Sequence, residues 1–321
     1  KKVNTLIFFF ILQFIFLYLF WPFLWENPIE NFAYTIKSFS RFTSLGMHIF
    51  YLGDFHNVYY LPWHYIFVCF FATTPILISF LIAVGLFQLS LRFFKRLIHI
   101  DQDKPCNDIW RGEKEKIFLF IFFIIFIPIF SFFLFNTIFY NNWRHLFFLY
   151  PPLILTAIFA VNTFRKKFIK KNISIYINGI LILILINNLY NLVTLHPFQY
   201  VYFNSIFEKK ANKLFAIDYW GVSNKSSLES ILLNNSQKNK IKIGVASFTN
   251  LYLSKKMLNE ESKRKLIITG QDFTDADFIF NNNYFELNPK YSRKYLIPQN
   301  YIKHSEVKRG DILINEFYIK K

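Results

Sequence analysis

The chain has 321 residues, of which 54% are hydrophobic and 18% are charged, and phenylalanine alone accounts for 44. An ordinary globular chain is about 45–50% apolar and about 25% charged. This composition excludes a soluble enzyme, a disordered chain and a disulfide scaffold, and it predicts a protein that crosses a membrane several times. The formal net charge of +17 accompanies an enrichment in Lys along the whole chain, so we treat part of it as compositional bias.

Five apolar stretches are long enough to cross about 30 Å of hydrocarbon, which takes roughly 20 residues in a helix. They contain no Asp, Glu, Lys or Arg and cover residues 5–25, 65–91, 117–140, 146–164 and 173–195. Prolines inside them are expected to kink the helices; they are Pro75, Pro128, Pro151 and Pro152. The predicted fold class is therefore a mainly α polytopic membrane bundle of five transmembrane helices, occupying residues 1–199.

The Lys and Arg residues of the short loops predict the orientation of this bundle, because cytoplasmic loops are enriched in both. Fourteen lie on one side, whereas the opposite loops hold only Lys37, Arg41 and Arg144. We therefore expect a cytoplasmic N-terminus and, after five crossings, a C-terminal segment on the outer side.

Residues 200–321 are predicted to form a small extracytoplasmic α/β domain. Ser226 and Glu229 have the spacing of a helix-capping box, and residues 250–261 are predicted to form one helix. Apolar or alternating runs predict strands at residues 240–247, 265–269 and 277–281 and a hairpin that turns near residues 308–311.

Several kinds of site are disfavoured by the sequence. The nine glycines form no glycine-rich phosphate loop, so a nucleotide held in that way is unsupported. The spans lack the charged residues that mark ion pathways, which disfavours a pump or a secondary transporter. His48, His56 and His64 recur every eight residues, which fits no compact metal site. No metal ligand is assigned, and no nucleic-acid partner is expected.

Arg144 and His145 open the fourth predicted span. A guanidinium at this level can bind a lipid phosphate with its planar set of donors, and His145 adds a donor or a proton carrier beside it. The alternative is an arginine that only reaches the lipid headgroups and anchors the helix.

Aromatic and polar residues gather at the same side of the predicted bundle. They are Tyr60, Trp63 and His64 before the second span, and His196, Tyr200 and Asp218 after the fifth. We interpret them as a wall that faces a sugar or a lipid headgroup. The alternatives are an aromatic plug at the interface for the first group and strand packing for the second.

Six segments resemble the bacterial GT-C-type glycosyltransferases related to dolichyl-phosphate-mannose protein mannosyltransferases. These segments are Trp21–Pro28, Tyr60–Tyr65, Thr73–Pro75, Trp143–Phe148 with the two prolines that follow it, His196–Asn204 and Asp218–Ser223. Each is modestly specific alone, but they occur in the family's order between about residues 20 and 223.

The resemblance implies an enzyme that takes a sugar from a polyprenyl-phosphate carrier in the bacterial plasma (inner) membrane. It transfers the sugar on the outer face to an acceptor glycan, lipid or protein.

The base in such enzymes is an acidic residue of the first outer loop. The first matched segment belongs to the middle of the family's chain, so we expect the catalytic loop and several helices to precede Lys1. The present sequence would then be a C-terminal fragment or a truncated gene product. The candidates for the base on the outer side are Glu26, Glu30, Asp54 and Asp218. We take Asp54 as the candidate catalytic base because it follows Gly53 and precedes the aromatic run.

Two further points stay open at the level of the sequence. A divalent cation that assists the transfer is neither required nor excluded by the residues present. The alternative function is non-catalytic, namely a membrane subunit that binds lipid or assembles with envelope partners.

Overall fold

The computed structural model describes residues 2–40, 48–98, 113–135, 137–139, 141–167 and 171–321. The chain divides into two compact units, Lys1–Gly46 and Met47–Lys321. The domain boundary predicted between residues 199 and 200 falls inside the second unit.

The first unit is helical. It consists of α1 (Lys2–Phe20), a 3₁₀ turn (Pro22–Leu24) and α2 (Pro28–Ser40). The apolar helix ends five residues before the predicted limit because Pro22 disfavours helical geometry at Trp21, whose φ and ψ are −120° and 86°. The indole of Trp25 then donates a hydrogen bond of 2.8 Å to the carbonyl of Tyr18.

The second unit begins with a short hairpin and continues into helices. Its first elements are β1 (His48–Tyr51), β2 (Asp54–Asn57), α3 (Tyr65–Ala72), α4 (Ile76–Ile98), α5 (Glu113–Leu134), α6 (Tyr150–Lys167) and α7 (Lys171–Thr194). β1 and β2 are antiparallel, with His48 opposite Asn57.

Within the described residues, five helical segments are long and apolar enough to cross a membrane. They are Val3–Phe20, Ile76–Lys95, Glu115–Leu134, Arg144–Lys166 and Ile175–Thr194. The number of predicted spans is therefore confirmed at the level of length and composition.

The second predicted span, residues 65–91, is wrong as one continuous helix. It is broken before Pro75, which lacks the N–H that a helix needs and disfavours helical geometry in the residue before it. Asn204 stabilises the break, because its side-chain amide donates to the carbonyls of Phe71 (2.6 Å) and Thr74 (3.1 Å). Its backbone N–H donates to the carbonyl of Ala72 at 2.9 Å. The released carbonyl groups thus regain partners from a segment about 130 residues away.

The remaining prolines behave in two ways. Pro128 lies inside α5 without ending it. Pro151 and Pro152 lie in the first turn of α6, where a missing N–H costs no helical hydrogen bond. The preceding residues, Arg144–Leu149, form a 3₁₀ helix.

Helices α4 and α6 approach each other closely. A Cβ placed on Gly85 of α4 would lie 2.0 Å from the carbonyl oxygen of Thr156 in α6. Ala157 and Ala160 are buried on the same helix. Small residues let the two backbones meet, which is the usual basis of helix packing in a membrane.

The C-terminal part is a mixed α/β layer. Its elements are α8 (Ala211–Leu214), α9 (Ser223–Asn234), β3 (Ile241–Val245), α10 (Leu251–Lys256), α11 (Glu260–Lys265), β4 (Leu266–Gly270), β5 (Phe278–Asn281), β6 (Tyr301–Arg309) and β7 (Ile312–Lys320). The strand order is β4-β3-β5-β7-β6. The first three strands of that order are parallel, and β7 is antiparallel to both of its neighbours. The predicted strands and the terminal hairpin are confirmed.

Two helix predictions in this part are wrong. Ser226 does not cap a helix, because α9 already begins at Ser223 and the hydroxyl of Ser226 bonds back to the carbonyl of that residue at 3.0 Å. The single helix predicted at residues 250–261 is two helices, because Asn250 caps α10 and Asn259 caps α11. An asparagine side chain that accepts from the first-turn N–H groups starts a helix.

Candidate lipid-phosphate site

A tight turn positions Arg144. Asn141 and Asn142 adopt φ values of 56° and 67°, a left-handed conformation that asparagine tolerates better than most residues. The N–H of Asn142 donates to the hydroxyl of Tyr65 at 2.7 Å. Trp143 follows, and its indole donates to the hydroxyl of Thr73 at 2.9 Å.

Trp143 is a core residue, 7% exposed. Its hydrogen bond to Thr73, at the helix break, holds it inside. It therefore fixes the start of the 3₁₀ helix on which Arg144 is carried.

Arg144 lies against aromatic rings from the segment after the last membrane helix. Its guanidinium carbon is 4.7 Å from the ring centroid of Trp220 and 5.6 Å from that of Tyr219. Tyr219 in turn packs edge-on against Tyr284, with a centroid distance of 4.9 Å. Trp220 remains 59% exposed. We call Arg144, Tyr219, Trp220 and Tyr284 the arginine wall.

A buried carboxylate fixes this wall from behind. Asp218 is 0% exposed and accepts hydrogen bonds from the hydroxyls of Tyr200 and Ser223, both at 2.5 Å. It also accepts from the N–H of Val222 at 3.0 Å and from the amide of Asn282 at 3.4 Å. Burial raises the pKa of Asp218. The hydrogen bonds act in the opposite direction but have a smaller effect, so the pKa stays above its ordinary value.

This enclosure leaves Asp218 no exposed surface with which to contact a sugar, whereas Tyr200 is half-buried. The carboxylate is enclosed by protein donors, and the tyrosine hydroxyl is held by it. Burial, followed by the charge of Asp218, raises the pKa of Tyr200. Both residues act by holding the loop that carries Tyr219 and Trp220.

The predicted histidines occupy different surroundings. The ring of His145 is 5.4 Å from that of Phe139. His196 is exposed, and its Nδ1 lies 2.9 Å from the side-chain amide of Gln199. His64 is half-buried, and its Nδ1 lies 2.7 Å from the hydroxyl of Tyr51. The structure therefore does not gather His64 and His196 around one described cavity with Arg144.

Tyr60 and Trp63 lie in the loop before α3 and are both exposed. Trp63 packs edge-on against His64 at 5.6 Å. Their exposure fits either of the roles considered for them, a ligand-facing wall or an aromatic surface at the membrane interface.

Asp54, the candidate base, is exposed at the start of β2 and lines a cleft of about 350 Å³. The opposite wall includes Asn283, Phe285 and Lys290. Asn283 and Phe285 flank Tyr284, so the cleft of Asp54 and the arginine wall border the same loop after β5.

A cavity of about 710 Å³ is one that the sequence reasoning missed. It lies between the start of α4, the second half of α7 and the turn between β6 and β7. Arg309, Glu208 and the side chains of Asn187, Asn188 and Asn191 line it. The signal that was overlooked is the close grouping of three asparagines in a predominantly apolar span.

In the described ranges, no group of three or more His, Cys, Asp or Glu side chains is arranged to hold a metal ion.

The chain was compared with known proteins, and no family model, curated protein or solved structure matches it.

Proposed function

We propose that this protein is a membrane glycosyltransferase that uses a polyprenyl-phosphate-linked sugar, with Arg144 as the ligand of the carrier phosphate. The observation that carries the proposal is the arginine wall, which holds a guanidinium at the end of a membrane-spanning segment against exposed Trp220. The motifs described in the sequence analysis supply the reaction class.

The geometry of the arginine wall suits this role. The guanidinium carbon of Arg144 lies over the ring of Trp220, and a guanidinium binds a phosphate through the N–H groups that lie in its plane. Cationic stabilisation of a departing phosphate lowers the barrier to transfer. An exposed indole beside it offers an apolar face to a sugar ring or to the first isoprene unit.

The proposed setting is the outer face of a bacterial plasma membrane, with the N-terminus in the cytoplasm. The distribution of Lys and Arg supports it. Transfer also requires a base for the incoming hydroxyl. Asp54 stays the candidate, supported by its exposure and by the loop that its cleft shares with the arginine wall.

Binding of undecaprenyl phosphate to the purified chain, measured by native mass spectrometry in detergent, tests the assignment of Arg144. Arg144→Gln is expected to weaken binding by about tenfold or more, because one charge-assisted pair is lost. Arg144→Lys is expected to be intermediate, since an ammonium lacks the planar fork. Exposed Arg293, changed to Gln, is the matched control.

Two results would redirect the proposal. If Arg144→Gln binds the carrier as the control does, the arginine is an interfacial anchor. If binding depends on Arg144 but no sugar leaves a polyprenyl-phosphate donor with any acceptor, the non-catalytic alternative, a lipid-binding membrane subunit, is favoured. The observation that supports this second candidate is the enclosure of Asp218. This carboxylate is the one next to the arginine wall, and it has no exposed surface from which to act on an acceptor.

A further inference from the structure

The 710 Å³ cavity is amphipathic along its length. On α7 its wall runs from Ile180 to Thr194, a rise of about 21 Å at 1.5 Å per residue. On this helix, Ile180, Leu183 and Ile184 form an apolar stretch of the wall. The polar side chains come from the following turns of α7 and from the segments beyond it. This division matches a molecule with a long apolar tail and a polar head.

The asparagines at the polar end of the α7 wall make no side-chain hydrogen bond within the described protein, although they belong to a helix that is apolar enough to span a membrane. They are Asn187, Asn188 and Asn191. Polar groups placed in hydrocarbon without a partner are unfavourable. A bound polar headgroup would supply these partners.

Two opposite charges stand beside these amides without pairing with each other. Arg309 donates to the carbonyl of Lys308 at 3.0 Å and stacks over Phe198 at 4.9 Å. Glu208 is half-buried, and its carboxylate is so close to the hairpin turn that a Cβ on Gly310 would lie 2.5 Å from it. No ion pair joins Arg309 to Glu208, and within the described chain the Glu208 carboxylate has no hydrogen-bond donor.

We infer that the cavity binds one zwitterionic phospholipid whose headgroup carries a phosphate and a primary ammonium, as in phosphatidylethanolamine. Arg309 binds the phosphate, Glu208 accepts from the ammonium, and the three asparagines bond the ester oxygens. One acyl chain lies between α4 and α7. This lipid site is distinct from the arginine wall and does not depend on the proposed transferase activity.

Charge complementarity distinguishes this lipid from the other occupants of a membrane. With an isoprenoid phosphate or phosphatidylglycerol, Arg309 would pair with the phosphate, but Glu208 would have no cation to pair with. Phosphatidylcholine carries a cation but has no N–H to donate to a carboxylate. Only a headgroup with both a phosphate and an N–H cation pairs each side chain in a charge-assisted hydrogen bond.

The test is a titration of the delipidated full-length chain with phosphatidylethanolamine, phosphatidylglycerol and phosphatidylcholine of identical acyl chains, followed by native mass spectrometry. Phosphatidylethanolamine is expected to bind about tenfold more tightly than the other two. Glu208→Gln is expected to remove this preference without weakening phosphatidylglycerol, and Arg309→Gln to weaken all three lipids.

Glu229→Gln and Arg293→Gln change exposed residues outside the cavity and serve as matched controls. Asn188→Leu gives a second route if Arg309→Gln fails to fold, since it should lower affinity for all three lipids while keeping the preference for phosphatidylethanolamine. Equal affinity of the wild-type chain for the three lipids would overturn the inference. So would undecaprenyl phosphate binding more tightly than phosphatidylethanolamine with no effect of Glu208→Gln.

Discussion

The membrane helices and the C-terminal sheet use the same apolar residues in different ways. In the sheet, strand β5 is enclosed on both sides, and Phe278, Ile279 and Phe280 are fully buried. In the spanning segments most apolar side chains face outward; the buried share is 0% for Ile175–Thr194 and 33% for Arg144–Lys166. Water drives apolar residues into the sheet core, whereas lipid offers helices no such force, so close packing of small residues decides where they meet.

Replacing one phenylalanine by alanine in each region should give the largest difference in the free energy of unfolding. Phe278→Ala removes a fully buried ring from the sheet and is expected to lower the free energy of unfolding by about 3–5 kcal/mol. Phe120→Ala, on α5 with the ring 64% exposed, should change it by less than about 0.5 kcal/mol. Pulse proteolysis in urea, applied to the detergent-solubilised chain, measures both. Equal losses would show that Phe120 is packed against protein.

Two glycines in membrane helices test whether small residues decide packing there. Gly85→Ala places a methyl group against the backbone of α6 and should cost about 1–3 kcal/mol. Gly179→Ala is the matched control, because nothing lies within 4 Å of a Cβ at that position. The readout is thiol labelling of buried Cys69 on heating, in a Cys106→Ser background. Equal labelling temperatures for the two variants would contradict the close contact between α4 and α6.

The buried carboxylate of the C-terminal part should give that region a pH dependence. The pKa of Asp218 is raised above its ordinary value of 3.8, chiefly by burial. The folded state therefore holds this proton more tightly than the unfolded chain does. The stabilisation is complete below pH 3.8 and is lost as the pH rises through the folded-state pKa.

Asp218→Asn removes the titrating group while keeping one oxygen as an acceptor. We expect a loss of about 1–2 kcal/mol from the missing hydrogen bonds, together with a weaker pH dependence of the melting temperature just above the ordinary carboxyl pKa. Melting curves of the whole chain between about pH 4 and pH 7 show both effects. An unchanged pH slope in the variant would mean that Asp218 does not titrate in this range.

Features that depend on residues close together along the chain could be predicted from the sequence. Length and apolarity predicted the number of spanning helices, and alternation predicted β3, β4, β5 and the hairpin of β6 and β7. The break before Pro75 was expected only as a kink, because the extra partner that stabilises it, Asn204, lies far along the chain.

The candidate site was harder to predict for the same reason. Arg144 was chosen for its charge at the end of a span, but its stacking on Trp220 joins residues 76 positions apart in the sequence. Asp218 and Tyr200 share the alternating aromatic and polar pattern of their neighbours, and nothing in that pattern tells an enclosed carboxylate from an exposed one. Arg309 drew no attention because a basic residue in a hairpin turn is usually solvated.

The smallest expected effect concerns the hydrogen bond that ties the arginine wall to the helix break. Trp143→Phe removes the indole donor to Thr73, and Thr73→Val removes the acceptor. Each change, together with the double variant, forms a cycle whose coupling energy we expect to be about 0.5–1.5 kcal/mol. Because Trp143 belongs to the buried core and precedes Arg144 directly, the single variants should also weaken carrier binding slightly. A coupling energy near zero would show that Trp143 is held by ring packing alone, and that the position of Arg144 owes nothing to the break before Pro75.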